Sequence, residues 1–416
     1  MARIDPQPRP MPTRVFAALL TLLLGIQPVS TDLYLPALPT LRRDLGASIE
    51  GAQLTLSVLI VCFGLGQLLC GPLSDRFGRR PVLLAGLAAY TIASFGAAAS
   101  TGIATLIVWR AVQGAAMAAS VTCGRSIVRD LYDPAAGARM MSSALTGLGC
   151  IAVLSPLIGG ALVEAFGWHA AMLAPAIFGA FTLAMIAWRL EETVPTLDAT
   201  ATRPANIVRN WRRVCANPTF RAWALLSACT YGGLFCMLAG SSFVFIGMLG
   251  VERATFGIIL ASMSLAYIAG TFLCRRLLLR HGLRGAVARG ACLSLAGGGS
   301  MALLSLAGVH EVWAILLPQY VYALGHGVHQ PCGQAGAVGP FPEKAGVAAS
   351  LSGFAMTVTA LGVGLWLGHA LDVTVYPLTL GFGAFSVAVT VVAWTLVRRH
   401  GEPAIAARAR VAVRPA

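Results

Sequence analysis

Long apolar runs alternate with short polar ones along the whole chain. Stretches of about twenty residues, the length that crosses a bilayer as a helix, lie at 15–38, 51–71, 82–99, 103–123, 140–163 and 170–189, and again at 222–246, 254–274, 286–306, 312–333, 347–368 and 376–397. The segments between them are rich in Gly, Pro or Arg. The pattern predicts an all-α membrane protein of twelve transmembrane helices, which places both termini on one side. The first run holds Gln27 and Asp32 and outlasts the apolar core of a signal peptide, so it is read as the first span.

The longest polar segment separates two sets of six runs. This divides the chain into a tail at 1–14, a six-helix half at 15–190, a central loop at 191–221, a second six-helix half at 222–397 and a tail at 398–416. Local patterns recur between the halves. Phe77-Gly78-Arg79-Arg80 is echoed by His281-Gly282-Leu283-Arg284, 204 residues on, and Pro134 with Ala136-Gly137 by Pro342 with Ala345-Gly346, 208 residues on. Both offsets are close to half of 416, as in a duplicated six-helix unit. Repeats of this kind build carriers that open alternately to either side of a membrane.

Charge fixes the orientation. The chain is 57% hydrophobic and 11% charged, with a formal net charge of +14. Too little charge remains to cover a soluble domain. With the amino terminus in the cytoplasm, 26 of the 30 Lys and Arg fall on the inner side, among them Arg3, Arg9, Arg125, Arg209, Lys344, Arg408, Arg410 and Arg414. Only Arg42, Arg43 and Arg253 fall outside, and Arg110 falls within a span. Cytoplasmic loops retain positive charge in this way, whereas a nucleic-acid binder does not sort its charges by loop. No nucleic-acid partner is expected.

The ten cysteines show no CxxC or Cys/His spacing, which argues against a metal site or other cofactor. Gly297-Gly298-Gly299 follows no strand, so it does not read as a phosphate loop. The seven histidines are dispersed, and only His326 and His329 share a span. A membrane-embedded enzyme would need a catalytic cluster that the sequence does not display.

One loop is specific. Gly71-Pro72-Leu73-Ser74-Asp75-Arg76-Phe77-Gly78-Arg79-Arg80-Pro81 joins spans two and three. It resembles the major facilitator superfamily pattern G-x-x-x-D-R-x-G-R-R at every fixed position. Trp109-Arg110-Ala111-Val112-Gln113-Gly114 and Ser155-Pro156-Leu157-Ile158-Gly159-Gly160 extend the resemblance. Thr31-Asp32-Leu33-Tyr34-Leu35-Pro36-Ala37-Leu38-Pro39 and Phe341-Pro342-Glu343-Lys344-Ala345-Gly346 are most similar to the Bcr/CflA group of drug-resistance exporters. The resemblance implies proton-coupled drug export from a bacterial inner membrane by a monomer. It also implies that Gly71, Asp75, Arg76, Gly78, Arg79 and Arg80 form a conformational switch and that Pro156, Gly159 and Gly160 form an antiporter-type helix motif. Two positions depart from the pattern: Ser155 replaces a glycine, and Leu24 stands where some multidrug relatives carry a second membrane glutamate.

Asp32 and Arg110 lie at matching depths, each roughly 13–15 Å from the outer ends of their spans at about 1.5 Å per residue. Charges inside a bilayer are costly and are kept for a function or a partner. Desolvation raises a carboxylate pKa and a nearby arginine lowers it. Asp32 and Arg110 are therefore a candidate proton-coupling pair, with a permanent ion pair as the alternative. Gln27, Tyr34, Gln113, Met117, Tyr231, Phe235, Tyr267, Tyr322 and His326 are polar or aromatic positions in apolar spans. They are candidates for a mostly apolar substrate cavity with a few polar anchors. An uptake symporter on the same fold remains the rival reading.

Overall fold

The computed structural model describes residues 12–132, 134–194, 196–341, 344–370 and 374–401. Arg3, Arg9, Pro342, Glu343, Arg408, Arg410 and Arg414 lie outside the described residues. The described residues form helices and connections with no strand. In order these are α1 Thr13–Thr31, α2 Leu38–Asp44, α3 Ile49–Phe77, α4 Arg79–Ala98, α5 Ile103–Leu131, α6 Pro134–Phe166, α7 Trp168–Arg189 and α8 Pro204–Cys215. There follow α9 Pro218–Ser242, α10 Arg253–Leu306, α11 Val312–Val338, α12 Ala345–Ala370 and α13 Tyr376–Val392. Ten helices among the described residues are long and apolar enough to cross a membrane.

Three sequence expectations need correction. The run 15–38 is not one helix: α1 stops at Thr31, and a 3-10 turn at Leu35–Ala37 leads into α2. Pro28 removes one helical donor, while Pro36 disfavours helical geometry at Leu35. Asp32 therefore sits at a break rather than inside a helix. The central segment 191–221 is not all loop, since it contains the whole of α8 and the start of α9. Val214 of α8 is buried in one cluster with Phe220 and Trp223, while Arg209, Arg212 and Arg213 are exposed. The segment Gly71–Pro81 is not a loop either: it is the end of α3 and the start of α4, with Gly78 alone between them.

The 54-residue α10 turns sharply at Gly282, whose φ of 66° and ψ of −176° are not helical. Gly78, between α3 and α4, also takes a positive φ, of 102°. Residues with a Cβ rarely adopt such angles, so both halves of the Gly78/Gly282 echo mark a chain reversal that needs glycine.

The chain forms two compact units whose boundaries cross helices rather than follow the central segment. The first comprises 12–207, Leu238–Ser264 and 364–370. It is assembled by close backbone approach: a Cβ on Gly66 would lie 2.6 Å from the Ala115 carbonyl oxygen, and one on Gly257 2.6 Å from that of Pro156. Helices in lipid associate through such small-residue contacts, because apolar burial gives no advantage over the acyl chains. The second unit comprises Val208–Met237, Leu265–Val363 and 374–401. Its core is built on Trp223, which is fully buried and donates from Nε1 to the Gly401 carbonyl at 3.1 Å.

Candidate functional site

In the first unit, α1 frays where Pro28 leaves its last turn, and the Asp32 amide closes that turn on the Pro28 carbonyl at 2.8 Å. The Asp32 carboxylate is half-buried and accepts one hydrogen bond, from the Thr31 hydroxyl at 2.8 Å; the same hydroxyl is 3.0 Å from the Gln27 carbonyl. The backbone of the next residue, Leu33, is gripped by α6, since a Cβ on Gly159 would run into the Leu33 carbonyl oxygen. Gly160 faces the Arg253 carbonyl, 2.8 Å from where its Cβ would stand. Of the motif, Gly159 thus abuts the break that carries Asp32, while Gly160 and Pro156 meet α10. Ser155 is absorbed within α6 by a hydrogen bond to the Ile151 carbonyl at 2.8 Å.

Arg110 is completely buried and, among the described residues, pairs with no carboxylate. Its Nε donates to the Thr55 carbonyl at 3.3 Å, Nη1 to Gln113 Oε1 at 2.8 Å and Nη2 to the Ser30 carbonyl at 3.0 Å. The guanidinium lies 4.5 Å from the centre of the Tyr34 ring. Around it Tyr34 bonds Thr55, Gln113 Nε2 donates to Ser94 at 2.7 Å, and Tyr90 bonds Ser30 at 2.6 Å. This network joins α1, α3, α4 and α5 through neutral acceptors. The alternative reading of a permanent Asp32–Arg110 ion pair finds no such contact among the described residues; the guanidinium is held instead by backbone carbonyls of α1 and α3.

The Gly71–Pro81 segment, where α3 passes into α4, carries a second charged cluster. Arg79, 3% exposed, contacts Asp75 at 2.5 Å and Asp130 of α5 at 2.9 Å, and its Nη1 donates to Ser74 at 2.6 Å. Arg76 donates to Thr202 at 2.5 Å and Arg80 to the Ala187 carbonyl at 3.0 Å. Sequence reasoning missed the organising residue, Glu192. Its Oε1 accepts from the amides of Arg79, Thr193 and Val194 at 2.9, 2.9 and 3.1 Å, and its Oε2 from that of Arg80 at 3.1 Å. A carboxylate on the first amides of α4 satisfies otherwise unpaired donors at the positive end of the helix. A Cβ on Gly78 would strike Glu192 Oε2, so this glycine is required by space as well as by φ. The chain beyond stays attached, with the Asp198 amide on the Asp75 carbonyl at 3.0 Å. Two hydrogen bonds from Thr200 hold the Asp198 carboxyl below its ordinary range.

In the second unit, His326 Nδ1 lies 2.9 Å from the Thr230 hydroxyl, and the Tyr322 hydroxyl donates to the Thr230 carbonyl at 2.9 Å. The Tyr267 and Tyr322 rings lie 5.4 and 6.3 Å from the His326 ring, and Tyr231 stacks on Phe235 at 6.2 Å. Thr230, the hub of this cluster, was also missed, since a threonine in an apolar run gives no periodic signal. Of the nine cavity candidates, Tyr34, Gln113, Met117, Phe235 and Tyr322 are wholly buried, while Gln27, Tyr231 and Tyr267 are half-buried.

Residues 20–367 match the family model of the Major Facilitator Superfamily. The chain is 31% identical over 262 residues to the uncharacterized MFS-type transporter YdgK of Bacillus subtilis (strain 168), an alignment covering 62% of this chain and 65% of that protein. It is 29% identical over 336 residues to multidrug resistance protein D of Escherichia coli (strain K12), covering 80% and 84%. Among solved structures it superposes on a D-xylose-proton symporter with a TM-score of 0.72 at 16% identity, covering 93% of this chain and 99% of the other. At that identity the likeness is one of fold.

Proposed function

This chain belongs to the Major Facilitator Superfamily, and we propose that it exports small amphipathic drugs or metabolites from the bacterial cytoplasm in exchange for protons, by alternating access. Its likeness to a multidrug resistance protein supports the drug class. The observation that carries proton coupling is Asp32: a half-buried carboxylate with a single hydroxyl partner at a break in the first span. An acid so placed can take up and release a proton as the surrounding helices move. In this reading α10 counts as two spans on either side of Gly282, α11 is a span, and the twelve spans form two six-helix halves. The sorting of Lys and Arg supports cytoplasmic termini.

Arg110 has the role of a fixed positive charge in the same unit, held by the backbones of α1 and α3. The cluster of Asp75, Arg79, Asp130 and Glu192 locks the ends of α3, α4 and α5 together and releases them during the switch. Inside-out vesicles loaded with an acidic interior and offered chloramphenicol or ethidium test the reading. Export requires accumulation in the vesicles that collapses with the pH gradient. An uptake symporter gives accumulation in right-side-out vesicles instead, and an absence of gradient-driven movement in both would refute transport of this kind.

A further inference from the structure

The second chain reversal, at Gly282, keeps arginines of the first and loses its acid. At the 204-residue offset of the echo, Arg280 and Arg284 stand where Arg76 and Arg80 do, but Leu279 takes the place of Asp75 and Leu283 that of Arg79. The ion pair that closes the first reversal thus has no counterpart at these positions of the second. Arg275 and Arg276 add two cations one turn earlier, and both are exposed, as is Arg280. Among the described residues of the second unit the sole acid is Glu311, at the start of α11. The rest of α10, about 36 Å of helix, lies between it and Gly282.

The face of α10 that carries these arginines runs across the membrane. Ile258, Leu265, Phe272 and Leu279 recur at every seventh residue and are 60, 55, 57 and 90% exposed. At about 100° per residue the stripe drifts by only about 20° per step and covers about 32 Å from first to last, the thickness of a hydrocarbon core. A cavity open to one side of the bilayer would expose one end of the helix, whereas exposure at every step marks the face turned to acyl chains. The packed side lies opposite: Gly270 and Cys274 meet Leu324 and Cys332 of α11, about 160–200° around the helix from Phe272. Where the stripe reaches the reversal, Arg275 lies about 60° to one side of Phe272, and Arg276 and Arg280 about 40° and 80° to the other. The Arg275 guanidinium is 5.3 Å from the centre of the Phe272 ring. Arginine stems can lie along apolar surface while their heads reach headgroup level, and the planar fork matches two phosphate oxygens.

We propose that Arg275, Arg276 and Arg280 bind an anionic phospholipid, its phosphodiester on the guanidinium groups and an acyl chain along Leu279 and Phe272. The site goes beyond the exporter reading; only its placement in the cytoplasmic leaflet, where anionic lipid attracts basic segments, rests on the orientation given there. Purified full-length protein in uncharged detergent is titrated with fluorescent phosphatidylglycerol and with phosphatidylcholine of identical chains. Wild type should bind phosphatidylglycerol more tightly. At about fivefold per arginine, the triple variant Arg275→Gln/Arg276→Gln/Arg280→Gln should weaken phosphatidylglycerol about a hundredfold and phosphatidylcholine less than about twofold. Leu279→Asp restores the acid of the first reversal at an open position; it should remove most of the preference, and decides the matter if the triple variant does not fold. Arg42→Gln/Arg43→Gln, which removes two exposed charges of α2, should leave the preference intact. Equal wild-type affinity for the two lipids, an undiminished preference in the triple variant or in Leu279→Asp, or an equal loss in Arg42→Gln/Arg43→Gln would overturn the site. Effective competition by glycerol 3-phosphate, which has the charge without the chains, would also overturn it in favour of a free-phosphate site. Binding needs neither a gradient nor a fixed orientation. A preference that depends on these arginines therefore supports the site even if vesicles show no export, while export without the preference refutes the site and leaves the exporter reading intact.

Discussion

Replacing Glu192 by alanine removes a carboxylate that accepts four backbone amides, two of them at the start of α4. Loss of a helix cap costs about 1 kcal/mol, and loss of an anion from the positive end of a helix about 0.3–1 kcal/mol more. The Thr193 and Val194 amides lie in a half-open segment where water can replace part of their bonding, so a total of about 2 kcal/mol is expected. For a unit of this size that lowers the melting midpoint by about 4–8 °C. Glu192→Gln keeps an acceptor and loses the charge, so about half the drop should remain. The measurement is thermal unfolding of purified protein at one heating rate, followed with a thiol-reactive dye as buried cysteines such as Cys123 become exposed. Because Arg79 and Arg80 are held through these bonds, turnover should fall with KM unchanged. An alanine variant melting within about 1 °C of wild type would show that Glu192 does not organise the loop.

Two glycines of the transport motifs should behave oppositely. Gly159→Ala drives a Cβ into the Leu33 backbone and should abolish folded protein, whereas Gly71→Ala meets nothing within 4 Å and should express normally, as judged by size-exclusion yield. Asp32→Asn retains an oxygen acceptor for Thr31 and removes the titratable group, so substrate binding should persist while gradient-driven accumulation disappears; undiminished uphill export would remove Asp32 from the mechanism. Arg110→Met strips a charged donor from the carbonyls of Ser30 and Thr55 and from the Gln113 amide oxygen, a cost of about 3 kcal/mol for these buried acceptors. Its melting midpoint should fall by more than that of Glu192→Ala, and an unchanged midpoint would show that the network carries no stability.

Sequence alone determined the membrane class, the positions of most spans and the loop signature, because each is written in one dimension. Apolar length measures bilayer thickness, cation sorting follows loop order, and the glycines of the Gly78 and Gly282 reversals sit inside short fixed patterns. It also singled out Asp32 and Arg110 as membrane charges. Only the tertiary structure decided what those charges meet. Arg110 takes the Ser30 carbonyl, 80 residues away, and leaves Asp32 with a neighbouring hydroxyl. Glu192 closes on α4 across 113 residues, and neither its type nor its spacing from Arg79 marks it in the sequence. Pairings of this kind depend on where small residues let two helices approach and on which backbone groups a broken turn uncovers. Both are properties of surfaces brought together from distant parts of the chain, which local pattern does not contain.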